Sequence, residues 1–396
     1  MSTQAPGPVP KPRKKASKAR LWLLLHGWMG LPFWAYLLLI CVTGTIATVS
    51  DEILWLVDPE VRAHASAAPP LSPDALVAAA IAQQPGSRLA GLQFPEARYL
   101  APKVGLIDAA GVQRAFYLDP GSGRIQGESA GGLAFPEFIR ALHGWLLLPW
   151  NGHYSWGWYA VTLMALPILG SLVTGILIYK KFWRAYLNPR LRIGKGARTF
   201  WGDLHRLAGI WSLPFIGIIG LSGTWFLAQA LLADLAGYTT GEPMPSLDPQ
   251  SLPRIEQRSD LPPVRLDAAL AEVHRVAPRL QVESIYMPSD PYSPILFYGR
   301  DRVPLAYGQA VVNPYDGHLM RTRTLRDQNA FEIATGALYP LHFGDFMGLG
   351  LKLVYFLFGL LLSAMTLSGM LIWTRRTALD KAAPSRPRRA AKEVRA

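Results

Sequence analysis

Hydrophobic and polar positions alternate along this chain in long blocks. From Leu21 to Ser50 thirty successive positions carry no formal charge, more than the roughly 20 apolar residues that take a helix across a bilayer core. Three more apolar blocks follow, at about Trp158–Tyr179, Leu207–Ala233 and Leu353–Thr374. A signal-peptide core is only about 7 to 15 residues long, so the first block reads as a retained anchor. Between blocks one and two, and again between three and four, the pattern changes. Each long connection opens with an Ala/Leu-rich helical stretch (Pro73 to Gln83; Leu266 to Val276), continues in alternating strand-like runs such as Val282 to Met287, and contains a hairpin turn built on proline. Pro/Ser-rich stretches at 67–73 and 241–253 read as linkers.

The pattern predicts an α-helical membrane protein with four transmembrane helices and two small α+β domains. Helices are expected at 21–50, within 141–180, at 204–234 and at 340–375, with outer domains over 51–140 and 235–339. Basic tails at 1–20 and 376–396 and a loop at 181–203 complete the chain. Composition agrees, with 50% hydrophobic and 17% charged residues, far from a soluble domain. The net charge of +13 is concentrated: residues 1–20, 180–206 and 375–396 hold 22 Lys/Arg against three acids. By the positive-inside bias these segments are cytoplasmic, both termini included, and the α+β domains lie outside. The basic runs are short and lack interleaved aromatics, so they do not suggest nucleic acid. The single cysteine, Cys41, falls in the first helix, which excludes an internal disulfide and a CxxCH haem attachment.

The chain also repeats. LHGWMG and LHRLAG open the first and third helices, and 17 residues beyond their histidines come Thr43-Gly44-Thr45 and Ser222-Gly223-Thr224. TGILIYKK from Thr174 and SGMLIWTRR from Ser368 close the second and fourth, at an offset of 194. YLDPGSGRI (117–125) and VVNPYDGHL (311–319) keep the same offset, as do ALVAAA and ALAEVH from Ala75 and Ala269. A unit of helix, outer domain and helix occurs twice with one orientation, which predicts a parallel repeat about the membrane normal.

The repeat pairs four histidines. His26 and His205 fall at one depth near the cytoplasmic face, and His143 and His342 precede helices 2 and 4 near the outer face. A single histidine at a helix end is ordinarily an interfacial side chain. Two repeat-matched pairs in apolar surroundings are a functional signal. Two neutral imidazoles facing one metal describe bis-histidine haem b, whereas zinc would require three or four ligands. Asp203 and Asp345 each lack a counterpart in the other half. Gly44 and Gly223 fall at the depth of the outer pair, and Gly175 and Gly369 at the depth of the inner pair. They would admit a flat cofactor or simply pack helix on helix. Two haems, one near each face, would form an electron wire.

These residues, with the D/N-P-x-x-G turns at Asp119-Pro120 and Asn313-Pro314 and the LHxxxG entries, make the chain resemble the PepSY-associated transmembrane family over nearly its whole length. The resemblance implies PepSY-like outer domains and, from the iron-uptake members, an inner-membrane oxidoreductase that reduces ferric siderophores with haem b bound by membrane histidines. It points to His26, His205, His143 and His342 as iron ligands. One stretch departs from the repeat: WNGHYSWGW (150–158) sets His153 among Trp145, Trp150, Trp156 and Trp158. It reads as an interfacial aromatic belt, or else His153 exchanges with His143 or lines an acceptor site. Arg140, Arg206 and Lys352 are candidate propionate partners or snorkelling anchors. His64, His274 and His318 read as surface residues.

Two functions follow. In the first, an unidentified cytoplasmic donor passes electrons across the bilayer to Fe(III) held by a siderophore in the periplasm, aiding iron release and uptake. In the second, the chain is a non-enzymatic PepSY module that binds or regulates a periplasmic partner such as a protease. A transporter is disfavoured, because four spans without a charged lining offer little pathway.

Overall fold

The structure is a computed structural model that describes residues 18–64, 69–131, 134–179, 181–237, 245–248 and 265–382, with side chains described as far as Thr374. Most of both basic tails, and parts of the two expected linkers, lie outside the described residues. Among the described residues four helices are long and apolar enough to cross a membrane: Lys18–Thr48 (helix 1), Trp156–Ile178 (helix 2), Leu213–Ala236 (helix 3) and Gly348–Thr374 (helix 4).

Helices 1 and 2 contain a break, and helix 3 is preceded by one. Helix 1 passes through a 3-10 turn at Leu31–Phe33, since Pro32 has no N–H to give to the preceding turn. The same Leu-Pro-Phe triplet recurs at 213–215, where Ser212 separates the 15-residue helix Ala197–Trp211 from helix 3. Helix 2 has a break at Met164. The expected starts of two elements move as a result. His205 stands on Ala197–Trp211 rather than on helix 3 itself, and His342 stands on the short helix Leu338–Phe343, ahead of helix 4.

The strands are β1 (Arg88–Gln93), β2 (Lys103–Ile107), β3 (Gln113–Leu118), β4 (Ile125–Ser129), β5 (Trp150–Asn151), β6 (Tyr154–Ser155), β7 (Gln281–Tyr286), β8 (Ile295–Arg300), β9 (Tyr307–Val312) and β10 (Leu319–Arg323). Two small α+β domains were expected. The structure fuses them into one eight-stranded antiparallel sheet of order β10-β9-β8-β7-β1-β2-β3-β4. The first strand of each unit offers an open edge, and the two edges satisfy each other through Gly91↔Tyr286, Leu92↔Ile285 and Gln93↔Ser284. Gly91 permits the approach, because a Cβ there would lie 2.9 Å from the Ile285 carbonyl oxygen.

The two helices over the sheet cap each other. Asp74 accepts from the amides of Leu266 and Asp267, while Asp267 accepts from the Asp74 amide and the Ser72 hydroxyl. Beneath them Leu76, Ala80, Leu92, Val104, Leu266, Val273, Ile285 and Phe297 form one shared core. Each fully buried large side chain contributes about 1.5–3 kcal/mol of apolar transfer, and the main core draws these side chains from both halves. The two proline turns form as expected. Asp119 and Asn313 accept from backbone amides two residues on, and Gly123 and Gly317 take positive φ of 71° and 73°.

On the far side of the helices from the sheet, Asp203 is only 2% exposed and accepts from the guanidinium and amide of Arg192, with Arg206 also on it. The Arg192 hydrogen bond holds the Asp203 carboxyl well below the usual carboxylate range. A depressed folded-state pKa means that this contact contributes stability above the ordinary carboxylate value of about 3.9 and loses it as the pH falls below that value. Because the folded-state carboxyl stays ionised well below that value, exchange protection of the Arg192 amide, normalised for intrinsic rate, is expected to persist from about pH 7 down through about pH 4. An Asp203→Asn variant is expected to lack the protection throughout.

Candidate functional site

The fold brings the four repeat-matched histidines together in two pairs. His26, on the first half of helix 1, faces His205 with ring centroids 6.1 Å apart. His143, on the helix Phe135–Trp145, faces His342 at 6.3 Å. The second pair is on the sheet side of the bundle and the first on the far side.

What orients each ring is a hydroxyl on the helix packed against it, joined in three of the four by a backbone carbonyl. His26 Nδ1 lies 3.1 Å from the Ser171 carbonyl and 3.0 Å from Thr174 Oγ1. His205 Nδ1 repeats this at an offset of 194, 3.0 Å from the Met365 carbonyl and 3.1 Å from Ser368 Oγ. On the sheet side His143 Nδ1 donates to the Ile40 carbonyl at 3.1 Å with Thr43 Oγ1 at 3.4 Å, and His342 Nδ1 lies 2.7 Å from Ser222 Oγ. The hydroxyl protons are already committed, since Thr174, Thr43, Ser222 and Ser368 each donate to a carbonyl three or four residues back. The oxygens therefore accept and the four Nδ1 atoms donate. Every imidazole is fixed in the tautomer that leaves Nε2 as the free lone pair.

The spacing fits a metal between the rings. A metal–imidazole bond of about 2.0 Å and a nitrogen-to-centroid distance of about 1.2 Å, taken twice, give roughly 6 Å between centroids. Direct imidazole packing falls in the same range; what the four rings share beyond the spacing is an Nδ1 held by the chain, as the second nitrogen of a metal-bound histidine ordinarily is. Among the described residues no cluster of three or more His, Cys, Asp or Glu could hold a metal in another way. Between the pairs lies an apolar layer of Cys41, Ile216 and Leu362 backed by Leu172, Phe215 and Met365.

Three of the four glycines lie against histidine rings. A Cβ at Gly44 would lie 2.6 Å from His143 Cε1, and Cβ atoms at Gly175 and Gly369 would lie 3.6 and 3.4 Å from the Cε1 atoms of His26 and His205. Gly223 packs instead on Ala165, at 2.9 Å from a built Cβ to the alanine methyl. The Thr-Gly and Ser-Gly dipeptides thus supply a hydroxyl for Nδ1 and, in three of the four, a gap for the ring. Those hydroxyls are the functional residues that sequence reasoning passed over, although their repeat spacing was visible.

His153 is not drawn to the sheet-side pair. It sits in the turn of the β5–β6 hairpin, 56% exposed, with Nδ1 3.2 Å from Asp234 Oδ1, while Tyr159 donates to the other carboxylate oxygen at 2.6 Å. Nearby in the chain, Trp150 meets the rings of Trp145, Tyr154 and Trp158 at 5.6–6.0 Å in tilted geometry. The three proposed propionate partners are also engaged. Arg140 pairs with Asp51 at 2.5 Å, Lys352 with Glu52 at 2.9 Å, and Arg206 with Asp203.

A curated relative of Pseudomonas aeruginosa, "Uncharacterized protein PA4219", is 28% identical over 240 residues, which are 55% of this chain and 59% of the relative. The match thus spans less than two thirds of that protein's length. The family model for the PepSY-associated TM region matches residues 23–376, taking in all four helices, the fused sheet and both histidine pairs, and the chain belongs to that family.

Proposed function

We propose that the protein is a transmembrane haem b electron-transfer protein that reduces Fe(III)-siderophore complexes on the sheet side of the membrane. The observation that carries this reading is the pair of facing imidazole couples at 6.1 and 6.3 Å, each ring with Nδ1 held by the chain. His26 with His205, and His143 with His342, would hold one haem each. Haem b bound at such sites supplies a one-electron couple. The protein's own part is to fix the ligands, hold the two sites at opposite ends of the helices and keep water out of the apolar layer between them. A one-electron donor in the cytoplasm is oxidised, and the chelated Fe(III) is reduced to Fe(II), which hard oxygen ligands hold less tightly.

In this reading the sheet lies in the periplasm of an inner-membrane protein and the halves are parallel repeats; the positive-inside bias of basic segments such as 181–206 supports that orientation. Visible spectra of the protein purified in detergent, oxidised and dithionite-reduced, test the reading together with a pyridine haemochrome count. Two haems b per chain are expected. A well-folded protein that binds none when supplied with haem would overturn it in favour of a non-enzymatic module that binds a periplasmic partner.

A further inference from the structure

A cavity of about 470 Å³ lies between the sheet and the helices that carry His342. Its roof is the face of β7–β10 turned away from the domain core, and its floor includes the helices Ala330–Gly336 and Leu338–Phe343 and the end of helix 3. The volume is within the usual range of small-molecule sites, about 300–1,000 Å³.

Its position relative to the histidines is specific. Tyr339 lines the floor, donates to Gln229 at 2.9 Å and packs on Phe226 at 4.7 Å. Phe226 in turn lies 5.1 Å from the His342 ring. One aromatic layer thus separates the cavity lining from the sheet-side pair. On the roof Tyr298 and Tyr307 stack at 5.3 Å and 16°, offering flat polarisable surface, and Phe331 faces them from the floor.

The charges define what could enter. Arg300, 8% exposed, gives Nε to Glu283 at 2.8 Å, lies 3.4 Å from both Asp345 and Glu96, and covers the Tyr307 ring at 5.4 Å. Arg323 is on Glu332 at 2.9 Å. Both lining guanidinium groups are therefore taken up by carboxylates of the chain, and the lining carries three acids against two arginines. A polyanion would meet no uncommitted cation here and would face the surplus carboxylate.

We propose that this cavity is the acceptor site, and that it takes a compact ferric chelate that is neutral or cationic, such as a trihydroxamate, in preference to a triply anionic tris-catecholate. The inference rests on the reductase reading for its substrate, but binding can be measured without electron transfer. Ga(III) has the charge and nearly the size of Fe(III) and is not reduced under these conditions. The experiment titrates full-length protein in detergent with the Ga(III) complex of a linear trihydroxamate and of a tripodal tris-catecholate, by calorimetry, with the visible spectrum of each variant as a check on folding.

Saturable binding of the trihydroxamate is expected, at least tenfold tighter than the catecholate. Thr335→Trp from the floor and Gln309→Trp from the roof fill the cavity from opposite walls, and each is expected to weaken binding at least tenfold with the spectrum unchanged. Absence of trihydroxamate binding by the wild type, equal affinity for the two chelates, or undiminished binding in both tryptophan variants would overturn the proposal and leave the haem assignment standing. Absence of haem with chelate binding intact would overturn the reductase reading and leave the cavity assigned.

Discussion

Replacing His342 with alanine is expected to leave one haem b where the wild-type protein has two, and to lower the rate of external Fe(III)-chelate reduction by at least about 100-fold. The expectation comes from how the sheet-side pair is built. His342 is set by Ser222 Oγ at 2.7 Å and packed against Phe226, and among the described residues no other imidazole is in ring contact with His143. His153, the residue that the sequence offered as a substitute, is on Asp234. Loss of a second-shell partner already costs a metal site about 10–100-fold, and here a ligand itself is removed. The His26–His205 pair lies beyond the apolar layer and shares no hydrogen-bond partner with His342, so its haem should remain. The helix that carries residue 342 keeps its other anchors, Tyr339 on Gln229 and Tyr355 on the Leu341 carbonyl. A pyridine haemochrome ratio against protein measures the outcome. Two haems retained in the variant would remove His342 from the ligand set.

A single methyl group at Gly44 is expected to have nearly the same effect. The built Cβ lies 2.6, 3.0 and 3.2 Å from Cε1, Nδ1 and Nε2 of His143, closer than such atoms can be. The ring is tethered by the Ile40 carbonyl, on the same helix as Gly44, so it cannot retreat without losing the bond that sets its tautomer. Overpacking of this kind costs about 1–3 kcal/mol when the structure must shift, and in Gly44→Ala the shift falls on the ligand. Loss of the sheet-side haem, or a reduced-minus-oxidised spectrum lacking its component, is the expected result. Gly175→Ala is the control. Its Cβ would stand 3.6 Å from His26 Cε1, an ordinary contact, so both haems should be kept. Equal haem content in the two variants would show that the glycines serve helix packing alone.

Much of the site was legible in the sequence because the chain states it twice. The LHxxxG entries and the TG and SG dipeptides recur at fixed offsets, and residues repeated in register about an axis are brought to equal depth. The pairing of His26 with His205 and of His143 with His342 followed from that. The roles of Thr43, Thr174, Ser222 and Ser368 did not. A hydroxyl beside a glycine in an apolar helix ordinarily bonds back along its own helix, and these do, but the lone pairs left over are what the imidazoles use. Likewise Arg140 and Arg206 have the chemistry of propionate partners, and only their neighbours Asp51 and Asp203 show them already paired.

The sequence by itself determined the number of membrane helices, the concentration of positive charge, the doubled unit and the four histidines, because each of these depends on spacing and composition along the chain. The tertiary structure decided that the two outer domains share one sheet and one core, since an open strand edge has no sequence mark that says which edge will complete it. It decided that His143 rather than His153 meets His342, because the turn of a hairpin and the end of a helix are separated by the direction of the backbone and not by residue number. It also decided that a cavity lined by Tyr298, Tyr307, Arg300 and Tyr339 lies one aromatic ring from that pair. Those residues come from two strands and a helix that approach only when the sheet folds over the bundle, and nothing local in their sequence requires them to meet.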